Sequence, residues 1–200
     1  MTYLWINPVS ERMISVEALE RMLEKHDLTR VVCRESWGEI VLRKYRELLE
    51  HADETFADAR CPEAVSLVRS LQPEIRIADI EPILIHCARE LAERPDLADG
   101  RKIITTPCQI LADMGNRLEL NDTHFVPWNR FLAALGEPTE PAPDASPIPP
   151  GFFKDLPFSV VSRSGRPAIE SYVNGNDWKN AKLIELLYCV QGCHRGDGVR

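Results

Sequence analysis

The 200-residue chain lacks the features that would place it in a membrane, on a secretory route or on nucleic acid. No apolar run approaches the roughly 20 residues that cross a bilayer. The first five residues, Met1 to Trp5, have neither the basic nor the apolar region of a signal peptide. Acidic residues outnumber basic ones by 31 to 24, and this balance disfavours sequence-independent nucleic-acid binding. We therefore expect no membrane span, no nucleic-acid partner and a cytoplasmic location.

Aromatic residues are also sparse, at 7% of the chain, whereas cysteine is well represented with six residues. The apolar fraction of 44% and the charged fraction of 28% are those of an ordinary globular protein. In a reducing cytoplasm, six cysteines are more typical of metal ligands or free thiols than of disulfides.

Predicted strands and helices alternate along the chain. Apolar, strand-like runs occupy 2–6, 28–33, 55–59, 102–106, 121–126, 158–162 and 183–189. Helical patterns begin after Ser15, after Pro62 and at Pro82, and others occupy 38–51, 128–135 and 166–173. This alternation predicts an α/β fold with mainly parallel sheets and flanking helices.

A proline-rich stretch divides the sequence. Residues 137–151 contain six prolines and cannot form regular structure, which predicts an extended connection. We therefore expect a first α/β lobe over residues 1–136 and a C-terminal α/β segment over residues 152–200.

Four of the cysteines share one feature: each lies at or just after the end of a predicted strand. They are Cys61, Cys108, Cys189 and Cys193, the last two in a Cys-x-x-x-Cys turn with glycines at 192, 196 and 198. The carboxyl edge of a parallel sheet is where ligands bind. Four converging thiolates suit a [4Fe–4S] cluster, a zinc ion is the competing use, and separate buried thiols are the third possibility. Spacing alone leaves all three open.

The ordered set of motifs resembles the catalytic-domain family of the iron-only ([FeFe]) hydrogenases and their non-catalytic relatives. The resemblance covers roughly residues 55–198. Its four segments are Ala59-Arg60-Cys61-Pro62, Thr106-Pro107-Cys108, Ser146-Pro147-Ile148-Pro149-Pro150-Gly151, and Glu185 through Cys189 to Cys193. Each match is short, but their order along the chain is specific.

The resemblance implies that Cys61, Cys108, Cys189 and Cys193 hold one cubane [4Fe–4S] cluster between two small α/β lobes. In active hydrogenases of this family the last cysteine, matched here by Cys193, also bridges to a di-iron centre that carries CO and cyanide. The family also implies a setting in anaerobic metabolism.

The chain departs from the family where that di-iron centre would need support. Arg60 stands in place of a proton-relaying cysteine, Leu111 in place of a lysine, Met114 in place of a glutamate, and Leu187 in place of a methionine. A buried di-iron unit with anionic ligands needs charged and hydrogen-bonding partners. We therefore expect hydrogen chemistry to be absent and the protein not to be an enzyme of this type.

The resulting hypothesis is an iron–sulfur protein that acts in electron transfer or redox sensing within a larger complex. Its expected partner is a redox subunit, either a ferredoxin-like donor or an oxidoreductase complex. Two alternatives stay open: a small hydrogenase-like enzyme that retains hydrogen chemistry, and a structural metal-binding module.

Three further residues, Cys33, Cys87 and His194, lie outside the set of matched cluster ligands. Cys87, on an apolar helical face, and Cys33, at a strand end, match no family ligand and are expected to be core residues. His194, beside Cys193, is expected to be solvated, and the alternative is a hydrogen bond to a cluster sulfur or a part in proton transfer. The turn from His194 to Arg200 is expected to form a docking face for the redox partner, made locally basic by Arg60, Arg195 and Arg200.

Overall fold

The computed structural model describes residues 1–200 and contains eight strands and eight α-helices. The strands are β1 Thr2–Trp5, β2 Leu28–Arg30, β3 Phe56–Ala57, β4 Arg76–Ile77, β5 Arg101–Thr106, β6 Thr123–Pro127, β7 Val160–Ser164 and β8 Leu183–Leu187. The helices are α1 Pro8–Glu11, α2 Val16–Lys25, α3 Trp37–Glu50, α4 Pro62–Leu71, α5 Ile83–Glu93, α6 Gln109–Asn116, α7 Trp128–Leu135 and α8 Arg166–Val173. None of these helices combines the length and the apolar character that crossing a bilayer requires.

The chain forms two compact units, each assembled from separate segments. Unit 1 comprises Met1–Glu35, Leu84–Pro147 and Cys193–Arg200, and unit 2 comprises Ser36–Ile83 and Ile148–Gly192. The sequence-based division at residues 136 and 152 follows the chain linearly, whereas here both units draw on distant stretches of it. Parallel pairing makes this possible, because strands far apart in sequence can lie side by side.

Unit 1 is built on a four-stranded sheet in the order β2-β1-β5-β6. All its pairs are parallel, with Leu4 opposite Ile103 in the β1–β5 pair. Its core packs the buried faces of β1, β5, α5 and α6 against one another, with Leu91 and Ile104 completely buried. The edge at which these parallel strands end carries the loops that follow β1 and β5.

Unit 2 is built on a second four-stranded parallel sheet, in the order β4-β3-β8-β7. The register places Ala57 of β3 opposite Ile184 of β8. Strand β8 is buried at all five positions, as expected of an apolar run in a sheet covered by helices. Helices α4 and α8 pack on this sheet through Ala64, Val68, Ile169 and Val173.

The α/β class with parallel sheets and flanking helices is confirmed. Residues 137–151 form neither helix nor strand, as their prolines predict. Strand β2 ends at Arg30, three residues before Cys33, so the expected strand over 28–33 is too long. Three short elements were not predicted: α1 with four residues, β4 with two and α6 with eight.

Candidate functional site

In unit 2, Cys61 and Cys189 follow the two strands at the centre of the sheet. Cys61 is the residue before α4 and lies four residues beyond the end of β3, while Cys189 lies two residues beyond β8. Because β3 and β8 are adjacent and parallel, both cysteines leave the sheet at the same edge. The sequence-based placement of both residues at strand ends is confirmed.

The Cys61 sulfur accepts hydrogen bonds from backbone N–H groups. Tyr188 N lies 3.5 Å from Cys61 Sγ, and the N–H groups of Glu63 and Ala64, in the first turn of α4, also point at it. Burial raises the pKa of the Cys61 thiol, and these three N–H groups oppose that rise. The surroundings are therefore built to stabilise negative charge on sulfur once the proton has been displaced.

Arg60, next to Cys61, is buried in a network of charges. Its Nε donates to Asp58 Oδ2 at 2.8 Å, and its Nη2 donates to Glu185 Oε1 at 2.6 Å. The guanidinium also lies 4.6 Å and 4.5 Å from the ring centroids of Phe152 and Phe153. Only 7% of the Arg60 side chain is exposed. The expectation that Arg60 contributes to a basic surface is therefore wrong, since two buried carboxylates neutralise it.

Glu185, the first residue of the final motif, connects the proline-rich segment to β8. It accepts the N–H of Gly151 at 2.7 Å and that of Phe152 at 2.8 Å, and it also accepts the hydroxyl of Ser162. With Arg60, four donors serve two carboxylate oxygens, so this completely buried carboxylate is well satisfied. Two segments of the resemblance, Ser146–Gly151 and the motif beginning at Glu185, thus meet through one side chain.

In unit 1, the turn that begins at Cys193 lies against the peptide that carries Cys108. Gly198 N donates to Pro107 O at 3.1 Å. A Cβ at Gly196 would overlap the Pro107 carbonyl oxygen, and one at Gly198 would lie 2.9 Å from Cys108 N. Glycine is therefore needed at both positions for close backbone approach, as the sequence predicts.

Asp197 and Asn129 hold the same turn in place. Asp197 Oδ1 accepts the N–H of Gln109, the first residue of α6, at 3.0 Å. A carboxylate at a helix N-terminus satisfies an unpaired donor and interacts favourably with the helix dipole. Asn129 Nδ2 donates to the carbonyls of Asp197 at 2.8 Å and Arg200 at 2.7 Å. Cys108 and the Cys193 turn are thereby brought to one edge of unit 1.

His194 is buried, with 4% of its surface exposed, so the expectation of a solvated histidine is wrong. Its Nε2 lies 3.4 Å from Arg195 Nε, and its Nδ1 is buried without a hydrogen-bond partner. A buried ring nitrogen beside a candidate ligand calls for an acceptor or a donor that the protein itself does not supply.

The residues that differ from the motifs of the hydrogenase resemblance pack in the interior of their units. Leu111 is buried in the core of unit 1, and Met114 packs against that core. Leu187 is buried within β8. Together with the neutralised Arg60, none of these side chains presents a free charged or hydrogen-bonding group.

Sequence reasoning missed Asp58, the role of Glu185, and Asp197 as a helix cap. Glu185 and Asp58 could have been identified from the sequence, because burying a lone acid inside or directly after an apolar strand is costly unless a partner pairs with it. As for a complete metal centre, no group of three or more histidine, cysteine, aspartate or glutamate side chains is arranged to hold a metal ion.

No protein-family model matches the sequence, and no curated protein matches it significantly. Among solved structures, the chain is similar to a variant of the [FeFe]-hydrogenase HydA1 from Chlamydomonas reinhardtii, with a TM-score of 0.62 over 100% of this chain and 80% of that one. The likeness establishes the fold. At 9% sequence identity it extends no further, and the cysteine assignment depends on the residues themselves.

Proposed function

We propose that Cys61, Cys108, Cys189 and Cys193 ligate one [4Fe–4S] cluster, and that the protein serves electron transfer or redox sensing within a larger complex. The observation that carries the proposal is the shared position of the cysteines. In unit 2 the loops that carry Cys61 and Cys189 leave the same carboxyl edge of a parallel sheet, and in unit 1 the turn that begins at Cys193 lies against the Pro107–Cys108 peptide that follows β5. The fold, though not the sequence, is shared with a solved [FeFe]-hydrogenase variant.

The surroundings of the cysteines fit such a group. Cys61 Sγ already faces three N–H donors, and Cys108 is the residue that precedes α6. Helix N-termini and backbone donors stabilise anionic sulfur. The unpartnered Nδ1 of His194, next to Cys193, could donate to a cluster sulfur. When bound, a [4Fe–4S] cluster supplies one-electron chemistry whose potential depends on such hydrogen bonds.

The chain's own residues favour a cluster without a di-iron partner. A di-iron unit with CO and cyanide ligands would need donors at the positions of Arg60, Leu111 and Met114. Arg60 is instead saturated by Asp58 and Glu185, and the other two are apolar. We therefore propose that hydrogen evolution is absent.

The test is replacement of each proposed ligand by serine, followed by anaerobic reconstitution. Iron and acid-labile sulfide should fall to a small fraction of the wild-type content for Cys61→Ser, Cys108→Ser, Cys189→Ser and Cys193→Ser, because a cubane cluster uses four thiolates. Cys33→Ser and Cys87→Ser are matched controls and should keep full content. Full content in all four ligand variants would refute the assignment.

Two further measurements separate the alternatives. Zinc in place of iron and sulfide in anaerobically purified protein would favour a structural module. Infrared bands of iron-bound CO and cyanide, with hydrogen evolution from reduced viologen after maturation, would favour a hydrogenase. Reversible one-electron reduction observed by paramagnetic resonance is the expected result. Because Arg195 and Arg200 are exposed, added salt should weaken the electrostatic attraction between this protein and an acidic donor protein.

A further inference from the structure

The two cysteines that match no cluster ligand meet where a loop docks on a helix. Residues 31–35 follow β2 and are hydrogen-bonded to Glu90 of α5. Arg34 N donates to Glu90 Oε1 at 2.6 Å, and Glu35 N donates to Glu90 Oε2 at 3.3 Å. One carboxylate on α5 therefore holds two successive peptides of the loop.

A second contact holds the other end of the loop. Arg94 Nη1 donates to Val32 O at 2.7 Å, and Asp96 pairs with both Arg94 at 2.7 Å and Arg34 at 3.0 Å. On the helix, positions 87 and 90 are three residues apart and therefore share a face, and Arg94 follows α5 directly. Cys33, lying between the two anchored ends of the loop, is thereby placed opposite Cys87.

The two thiols hydrogen-bond to each other. The bond from Cys87 lowers the pKa of Cys33, burial and Glu90 raise it, and the indole N–H of Trp5 and the charge of Arg94 lower it again. The bond to Cys33 is also the largest cause of the raised pKa of Cys87, with burial next. The hydrogen bond therefore runs from the Cys87 thiol to the Cys33 sulfur, so Cys33 loses its proton more readily than Cys87.

The two thiols also differ in accessibility. Cys33 is half-buried, in a loop where Val32 is 62% exposed, whereas Cys87 is only 5% exposed. Both are free thiols. An accessible thiol whose pKa is lowered by a sheltered neighbouring thiol is the arrangement of an attacking and a resolving cysteine.

We propose that Cys33 and Cys87 form a reversible two-electron redox site, in which Cys33 attacks a small-molecule disulfide and Cys87 resolves the product. In the first step the Cys33 sulfur bonds to one sulfur of the disulfide and the other sulfur leaves as a thiolate. In the second, Cys87 loses its proton, bonds to Cys33 Sγ and expels the second thiolate. In total, two cysteine thiols and one small-molecule disulfide are converted into one internal disulfide and two small-molecule thiols.

The site is independent of the proposed cluster, since none of its residues is a proposed ligand. Bond formation requires the sulfurs to close from hydrogen-bond contact to about 2.05 Å. The disulfide would tie the loop after β2 covalently to α5, within unit 1. A covalent tie between residues this far apart in sequence should raise the Tm of the oxidised protein.

The experiment is an anaerobic titration of the reconstituted protein with glutathione buffers, followed by alkylation, tryptic digestion without reduction and mass spectrometry. Cleavage after Arg30, Arg34, Arg76 and Arg89 releases Cys33 and Cys87 on separate peptides, each with a single cysteine. A linked pair of these peptides should appear as oxidised glutathione rises and disappear when it is reduced. Absence of the linked pair at every ratio would overturn the proposal.

The single variants separate the two roles. Cys87→Ser should accumulate a stable glutathione adduct on Cys33, because no thiol remains to resolve it. Cys33→Ser should leave Cys87 unmodified. A glutathione adduct that persists on Cys33 in the wild-type protein would also overturn the proposal.

Alkylation of Cys33 tests the part played by Trp5. Trp5→Phe removes the N–H donor but keeps an aromatic ring, so the pKa of Cys33 should rise. At a pH below that pKa, alkylation of Cys33 should slow roughly threefold. The slowing is limited because a smaller thiolate fraction is partly offset by the higher nucleophilicity of the more basic thiolate. Trp178→Phe, in unit 2, is the matched control and should leave the rate unchanged. Equal rates in wild type and Trp5→Phe would contradict the proposed stabilisation of the Cys33 thiolate by the indole N–H of Trp5.

Discussion

The two units hold their cysteine-bearing loops at the ends of similar parallel sheets by different physical means. Unit 1 uses backbone against backbone, with Gly196 and Gly198 pressed onto the Pro107–Cys108 peptide. Unit 2 uses buried charge, with Arg60 between Asp58 and Glu185. The same architecture therefore tolerates different substitutions in its two halves: unit 1 is sensitive to added volume and unit 2 to unbalanced charge.

The sheets also differ in how they bring the loops together. In unit 1 the central pair is β1 and β5, and only β5 leads directly to a proposed ligand, Cys108. In unit 2 the central pair is β3 and β8, and both strands lead to one. Unit 1 obtains its second cysteine from the C-terminal turn, which must then be fixed by Asp197, Asn129 and the two glycines.

The largest effect is expected from removing the charge at the centre of unit 2. Arg60→Met leaves Asp58 and Glu185 buried without their cationic partner, which should lower the free energy of unfolding by about 3–5 kcal/mol. Urea unfolding measures the loss. The control is Arg166→Met, which breaks an exposed pair with Glu170 and should cost about 0.3–0.5 kcal/mol. A similar small loss for both variants would show that the buried network does not hold unit 2.

The corresponding change in unit 1 adds a single carbon. Gly196→Ala places a Cβ on the Pro107 carbonyl oxygen. Because that oxygen belongs to the backbone, the overlap can be relieved only if the turn moves. We expect a loss of about 3 kcal/mol, the upper end for overpacking. Gly38→Ala, where a Cβ meets nothing within 4 Å, should be neutral or slightly stabilising. If the two alanine variants unfold at the same urea concentration, the close approach is not what fixes the turn.

The smallest of the three effects is a pH dependence of the free energy of unfolding that arises from Asp58 in unit 2. Burial raises the pKa of Asp58 from 3.8 to about 6, although Arg60 opposes the shift. The folded state then binds this proton more tightly than the unfolded state, so stability is greatest below the unfolded pKa and falls as pH rises through the folded one. Between about pH 4.5 and about pH 7 the loss should be about 2 kcal/mol.

Asp58→Asn removes this titration while keeping the size of the side chain. Its urea midpoint should therefore change less with pH than that of the wild type across the same range. Parallel pH profiles for the two proteins would show that Asp58 stays ionised, and that Arg60 compensates its burial completely.

Much of the fold was predictable because its signals are local. The alternation of apolar strands with helical patterns predicted the α/β class, and the six prolines of residues 137–151 predicted the connection without helix or strand. The strand-end positions of Cys61 and Cys189 were also predictable, since each follows a short, mostly apolar strand-like run. Helix α6 was missed because it has only eight residues, too few to repeat a helical apolar pattern over several turns.

By itself, the sequence determined most of the strands and helices, and that four cysteines follow strands or lie in a glycine-rich turn. Those properties depend on side-chain periodicity and on residues near one another in the chain. Only the tertiary structure decided that Arg60 and His194 are buried, that Glu185 joins two distant motifs, and that Cys33 meets Cys87. Each of these contacts joins residues of different elements, and parallel sheets make the neighbours of a strand depend on topology rather than on sequence order.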